Sequence, residues 1–347
     1  MTKYKRNMIS PFNLFAIIFV CRLLVAFTAS TGFIVGEYTP DIVISAIIGL
    51  VIVFVISIPC FYVSKNRNMF ENKWISTLYS FYFICVGAIS VSKFSYFAST
   101  ELDPSAKIIF FSAMIIIACT YTATLGIESI SRFASFVFII VLLGAVSIAF
   151  LSSSSFSILN LFPFTKNPIK TILINSLIIT ADTNELILFL ALSPKVNGKT
   201  KKPLYFGILL SILAIIIMIL VTIASLGDAA TLSAYPIFAM AQISTFEFFE
   251  RLDSVYMAFW IFAAFLKVSV YLYSSSVLLK KGSHKNKCIF SGIAMFLLSF
   301  IMINFNLFAK IQKAALIIPF FVFALIIPLL QIIFNKKSKG EKLLESF

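Results

Sequence analysis

The chain has 347 residues, of which 60% are hydrophobic and only 12% are charged. Soluble globular proteins carry about 25% charged residues, so this composition, with a mean hydropathy of +1.03, excludes an ordinary soluble domain. Repeated apolar runs of about 20 residues indicate a polytopic α-helical membrane protein. The net charge of +14 does not indicate nucleic-acid binding, because the basic residues lie in short loops between the apolar runs.

About ten apolar segments are predicted to cross the membrane as helices. They are numbered here as spans 1 to 10: Phe12–Val35, Ile42–Val63, Trp74–Ala98, Ala106–Thr124, Ile130–Leu151, Pro168–Leu192, Leu204–Leu226, Ser254–Leu279, Cys288–Phe308 and Ala314–Phe334. Residues 335–347 form a basic tail, and the whole chain is predicted to be a single transmembrane domain. If both termini lie in the cytoplasm, most lysines and arginines fall on the inner side and most acidic loop residues on the outer side, as the positive-inside rule requires.

Span 1 contains Arg22 and then a run of small residues, Thr28, Ala29, Ser30, Thr31 and Gly32. Span 6 lies five spans later and carries a polar cluster at a broadly similar depth. This spacing predicts two five-helix repeats, at about 12–151 and 168–334, inverted because five is odd, with helices 1 and 6 broken. For span 1 the alternative is that small residues only allow close helix packing.

The polar cluster of span 6 comprises Thr180, Asp182, Thr183, Asn184 and Glu185. An Asp in the middle of a lipid-facing helix costs about 2.5–3.5 kcal/mol. The cluster is therefore predicted to face protein, an ion, a ligand or a water-filled cavity, as in the broken helices of transporters. The alternative is that the helix starts earlier or ends near Thr180 and leaves both carboxyls at a membrane interface.

Two further cations, Arg22 and Lys267 of span 8, lie deep enough in the membrane to need partners. We predict that they form an intramembrane charge network with Asp182 and Glu185. Lys93 of span 3 is expected to extend to the outer interface instead. Tyr96 and Tyr271 are candidates to line a pocket.

No catalytic or cofactor signature is found in the sequence. It contains no HExxH, GxSxG or Walker sequence and no metal-spaced cluster of His and Cys, and the one histidine, His284, lies in a basic loop. The prediction is therefore no enzyme, no cofactor and no metal. The outer segment between spans 7 and 8, chiefly Leu232–Phe249, is amphipathic and is predicted to lie in the membrane interface as a short helix.

Several short motifs, in order, resemble the spore germination permeases, the B subunits of germinant receptors in endospore-forming bacteria. These are Ile9–Phe15 before span 1, the acidic start of span 2 at Asp41–Ser45, Gly126–Arg132 between spans 4 and 5, and Phe249–Asp253 followed by Trp260 and Lys267. That family belongs to the amino acid–polyamine–organocation superfamily. The resemblance covers essentially the whole chain.

The resemblance implies a five-plus-five inverted-repeat fold with a small-molecule pocket between spans 1, 3, 6 and 8. It also implies amino acids or similar nutrients as germinants, A and C partner subunits, and residence in the inner spore membrane. We expect the germinant to bind near Thr28–Gly32 and Thr180–Glu185 and to shift the chain between conformers. The alternatives are a proton- or cation-coupled amino acid transporter, with Asp182 or Glu185 as the coupling carboxyl, and a structural scaffold.

Overall fold

The computed structural model describes residues 8–27, 34–65, 67–243, 253–305 and 317–333. Within these residues, eight helices are long and apolar enough to cross a membrane, and two shorter apolar helices fall in predicted spans 1 and 10. This agrees with the predicted spans and confirms the all-helical membrane architecture. In order, the spans are Pro11–Phe27, Asp41–Lys65, Lys73–Phe97, Ile108–Leu125, Ile127–Leu151, Ile169–Ala181 with Glu185–Leu192, Lys201–Leu226, Asp253–Leu278, His284–Asn304 and Ile317–Ile333.

Local side chains account for where several helices begin. Asn72 caps span 3, where its side-chain oxygen accepts a hydrogen bond from the backbone N–H of Trp74 at 2.9 Å. Ser283 caps span 9 in the same way, accepting from the N–H of Asn286. These are the residue types that satisfy the unpaired N–H groups of a first helical turn. Between spans 4 and 5, Gly126 adopts a φ of +94°, which a residue with a side chain rarely adopts.

Spans 1, 3, 6 and 8 form the centre of the bundle. In the most apolar stretch of each span, the share of residues that are buried is 78% for span 8 and 72% for span 6, but only 28% for span 4. In span 1 every residue from Leu14 to Leu24 is buried. Spans 4, 5 and 9 instead expose large apolar side chains, which is the surface expected to face lipid.

The first helix of each half of the chain packs along the second helix of the other half. Span 1 packs along span 7, and span 6 packs along span 2. Glycine allows the close approach in both pairs: a Cβ at Gly49 of span 2 would lie 3.2 Å from the carbonyl oxygen of Ser176, and one at Gly207 of span 7 would lie 3.1 Å from Cγ2 of Ile18. This reciprocal packing is the pattern that a five-plus-five repeat produces.

The segment between spans 7 and 8 contains short helices, as predicted. Two short helices, Ala229–Leu232 and Pro236–Ile243, are described in it, and residues 244–249 lie outside the described part of the chain. The second, here named the cap helix, buries Ile237 and Phe238 against spans 1, 7 and 8. Its apolar face is therefore directed at the bundle.

Asp41, at the start of span 2, joins span 2 to the loop that leads into span 6. The side chain is buried, and its Oδ2 accepts from the backbone N–H groups of Asn167, at 2.8 Å, and Lys166, at 3.2 Å. Oδ1 accepts from the hydroxyl of Thr39 at 2.7 Å and from the amide of Asn167 at 3.1 Å. The acidic start of span 2 thus holds the two helices in register.

We expect Asp41→Asn to destabilise the chain by about 1.5–3 kcal/mol, because hydrogen bonds to an ionised group contribute about that much. Thermal unfolding of the purified chain in detergent measures the change. Asp103→Asn is the matched control, since Asp103 is exposed and accepts only from the neighbouring Ser105 and Ala106. Equal destabilisation by the two substitutions would contradict the role given to Asp41.

Candidate functional site

The helix of span 6 is interrupted at residues Asp182–Asn184, between Ala181 and Glu185. Asp, Thr and Asn side chains form hydrogen bonds with nearby backbone groups and so compete with the regular helical pattern. Here the hydroxyl of Thr183 donates to the carbonyl of Ile179 at 3.2 Å. The break therefore presents backbone carbonyls and polar side chains in the centre of an apolar bundle.

Glu185 and Lys267 form an ion pair across the centre of the bundle. The distance from Glu185 Oε1 to Lys267 Nζ is 3.0 Å, and both side chains are buried. Lys267 Nζ also donates to the backbone carbonyl of Cys21 at 3.0 Å, and the hydroxyl of Tyr271 approaches Glu185 Oε1 at 3.5 Å. A single ammonium thus links spans 1, 6 and 8. Glu185 Oε2 has no hydrogen-bond partner among the described residues.

Arg22 approaches span 6 from span 1. Its Nη2 donates to the carbonyl of Ile179 at 2.9 Å, one turn before the break. The side chain is only 1% exposed, and within the described residues Nε and Nη1 have no hydrogen-bond partner. Arg22 therefore keeps two buried donor nitrogens available near the break.

Span 3 contacts the break through Tyr82. The Tyr82 hydroxyl donates to the side-chain oxygen of Asn184, and both side chains are buried. Together with Lys267 and Arg22, this contact brings spans 1, 3 and 8 to the interrupted part of span 6.

Two cavities meet at the break. The first, the central cavity, lies between spans 1, 3, 6 and 8, and its polar lining is Ser90, Lys93, Asp182, Asn184 and Lys267. The second, the isoleucine cavity, lies between spans 1, 2, 3, 6 and 7 and the cap helix, and eight of its fourteen described lining residues are isoleucine. Lys93 and Asp182 line both cavities. No group of three His, Cys, Asp or Glu side chains in the described ranges is arranged to bind a metal ion.

A family model described as "Spore germination protein" matches residues 8–308. The chain belongs to the spore germination protein family. One curated member, Spore germination protein KB of Bacillus subtilis (strain 168), is 28% identical over an alignment of 292 residues, and the match covers 78% of this chain and 78% of that protein. The resemblance inferred from the sequence motifs is thereby confirmed.

The fold matches that of a solved Na⁺-coupled sialic acid symporter in its substrate-bound outward-open state. The TM-score is 0.64, and the match covers 91% of this chain and 79% of the symporter chain. The sequence identity is 13%, so the likeness shows the fold alone. This member of the spore germination family is an integral membrane protein with a transporter-type fold.

Most of the predicted site residues are brought together in this germination-family chain. Thr180, Asp182, Asn184 and Glu185 lie at the break, with Arg22, Lys267 and Tyr271 around them. The Glu185 carboxyl is enclosed by protein within the bundle. Thr28, Ala29, Ser30, Thr31 and Gly32 lie outside the described residues.

Two side chains point elsewhere than predicted. The hydroxyl of Tyr96 lies 3.5 Å from the carbonyl of Ile303 in span 9, and Tyr96 lines neither cavity. Lys93 faces both cavities beside Asp182 instead of extending to the outer interface, because a carboxylate inside the bundle offers it a nearby opposite charge. Tyr82 was not predicted at all. Its spacing of eleven residues from Lys93, about three helical turns, places the two on one face of span 3 and was the available signal.

We expect Lys267→Met to destabilise the chain by about 3–5 kcal/mol, because it leaves the Glu185 carboxylate buried and unpaired. Adding Glu185→Gln should recover much of that loss, since the double variant buries no unpaired charge. Thermal unfolding in detergent measures both variants. The control is Lys166→Met, which breaks the outer pair with Asp228 (3.0 Å) at a more solvated position and should change stability little. A double variant no more stable than Lys267→Met would contradict the pairing.

Proposed function

We propose that this chain is the membrane subunit of a spore germinant receptor that binds a small nutrient such as an amino acid and signals germination through partner subunits. The observation that carries the proposal is the interrupted, charged span 6 beside a cavity lined by spans 1, 3, 6 and 8. Pockets of this kind, with few polar groups at broken helices, bind small solutes in transporter-type folds. Membership of the spore germination family supports a sensing role for such a pocket.

The ion pair supplies a mechanism for the signal. Lys267 contacts both Glu185 and the Cys21 carbonyl, so its position depends on how spans 1 and 6 lie relative to span 8. A nutrient that binds beside Asp182, which lines both cavities, changes the electrostatic surroundings of this ammonium. If the nutrient binds one arrangement of the three spans more tightly, it increases the population of that arrangement.

Partners and location follow from the same proposal. The receptor would contain A and C subunits, as the resemblance implies, and would reside in the inner spore membrane with the termini of this chain in the cytoplasm. On that side the chain presents Lys73, Lys280, Lys281 and Lys287 around one shallow surface cavity. Such a basic surface suits anionic lipid or an acidic partner segment.

A second candidate function is proton- or cation-coupled amino acid transport. The matched symporter is Na⁺-coupled, and in this chain Asp182, which lines both cavities, is the better candidate for a coupling carboxyl. Glu185 already has Lys267 as an internal counter-ion at 3.0 Å. An internal cation in contact with span 1 and with Glu185 at the break of span 6 favours sensing over ion coupling, because it leaves less need for a bound ion.

We expect Asp182→Asn and Glu185→Gln to raise the nutrient concentration that gives half-maximal germination by at least about tenfold, since each removes a negative charge from the pocket region. Dose–response curves of spores that carry each variant give this value, with the amount of chain in the membrane measured in parallel. Asp103→Asn is the control. Unchanged curves at equal chain levels would refute the proposal, and reduced chain levels alone would point to a scaffold.

Uptake distinguishes the sensor from the transporter. The purified chain in proteoliposomes should show no accumulation of a labelled nutrient to which the spores respond, with or without a proton or Na⁺ gradient. Gradient-dependent uptake that is lost in Asp182→Asn would establish the transporter instead.

A further inference from the structure

The isoleucine cavity contains one charged group that the site described above leaves incompletely paired. Arg22 is 1% exposed, lines this cavity, and has Nε and Nη1 without a partner among the described residues. Buried polar groups are normally hydrogen-bonded, and a buried guanidinium without an anion is costly. An anionic group bound in the cavity would meet this requirement. Carboxylates suit a guanidinium especially well, because the planar fork can donate two parallel hydrogen bonds.

Apart from the uncharged hydroxyl of Tyr38, the other polar side chains of the described lining are already committed or balanced. Asn175 donates to the Val35 carbonyl at 3.0 Å and accepts from the Val35 N–H at 2.9 Å. Lys93 and Asp182 carry opposite charges on the same wall. Within the described lining, Arg22 is therefore the charged side chain without a hydrogen-bonded carboxylate, and the carboxylate of a ligand would supply one.

Apart from Tyr38, the rest of the described lining of the cavity is aliphatic. Isoleucines from spans 2, 6 and 7 and from the cap helix line it, among them Ile42, Ile178, Ile212, Ile215 and Ile219, with Ile237 on the side of the cap helix. Such a wall favours an aliphatic group and disfavours hydroxyl or amide groups, which would lose hydrogen bonds with water and, among the isoleucines, have only the Tyr38 hydroxyl to replace them.

We infer that the isoleucine cavity binds an aliphatic α-amino acid, with its carboxylate on Arg22, its ammonium toward Asp182 and its branched side chain among the isoleucines. The inference rests on the proposed function, because it names the class of nutrient and the position that it occupies. It places the nutrient on the side of the break that faces spans 2 and 7, beside the central cavity rather than in it. Asp182 and Lys93, which line both cavities, connect the bound nutrient with the Lys267 pair.

The first test is a thermal-shift measurement on the full chain in native membranes, so that any partner subunit is present. Leucine, isoleucine and valine should stabilise the chain, whereas 3-methylbutylamine, which is leucine without its carboxylate, should not. In Arg22→Gln the concentration of leucine that gives half the shift should rise by at least about 30-fold, because the variant removes the charged partner of the carboxylate. Equal shifts by leucine and 3-methylbutylamine would overturn the inference.

A second pair of variants leaves all charges in place. Ile215→Phe adds bulk inside the cavity and should weaken the response to leucine by at least about tenfold, since an enlarged side chain competes for the same space. Ile217→Phe, two residues along span 7, is the matched control: Ile217 is 55% exposed on the outer face of the bundle and does not line the cavity. Its leucine response should stay within about twofold of the unmodified chain. A normal response in Ile215→Phe would overturn the inference even if Arg22→Gln does not fold.

A ligand screen distinguishes a wrong nutrient class from a wrong nutrient-binding function. If a sugar or a polar amino acid stabilises the chain while leucine, isoleucine and valine do not, the inference is wrong and the proposed sensing function stands. If no amino acid or sugar in the screen stabilises the chain in native membranes, the proposed nutrient-binding function itself is wrong.

Discussion

The ion pair between Lys267 and Glu185 is the interaction on which the centre of this protein depends. Ionised groups that lie within the hydrocarbon thickness of a membrane must be paired inside the bundle, because lipid offers them no hydrogen bonds. Lys267 meets that requirement with one carboxylate oxygen of Glu185 and one backbone carbonyl of Cys21, each at 3.0 Å. The same contacts set the relative positions of spans 1, 6 and 8, so packing and electrostatics are joined in one place.

The interrupted span 6 makes this arrangement possible. An unbroken helix satisfies its own carbonyls, whereas here the Ile179 carbonyl accepts from Arg22 and the Asn184 side chain accepts from Tyr82. Neighbouring spans thus supply hydrogen bonds where the helix is irregular, which is how non-helical backbone is tolerated at membrane depth. Because Asp182 and Lys93 line both cavities, a change in one cavity alters the electrostatic surroundings of the other.

A transporter-type fold is a suitable basis for a sensor. In such folds a central solute site is surrounded by helices that have more than one arrangement, and the solute selects among them. Transport requires the site to open to both sides, whereas sensing requires only that the selected arrangement be recognised by another subunit. The fold alone does not separate the two functions. The internal cation Lys267, paired with Glu185, is the feature on which we base the proposal of sensing rather than ion coupling.

The sequence alone determined the class of protein, the approximate spans and the residues that need partners. Apolar runs give the spans, since length and hydropathy are local properties. Because a charge in lipid is costly, the sequence predicts that four side chains need partners in any arrangement of the helices: Arg22, Lys267, Asp182 and Glu185. Tertiary structure decided which partners these residues have: Lys267 pairs with Glu185, while Arg22 binds a backbone carbonyl.

The directions of the other side chains were likewise decided by tertiary structure alone. Lys93 turns inward, Tyr96 contacts span 9, and isoleucines distant in sequence line one cavity. The physical reason is that these helices are apolar on nearly every side, so the sequence pattern does not show which side of a helix faces protein and which faces lipid. That choice depends on packing between spans far apart in the chain, such as span 2 on span 6 and span 1 on span 7.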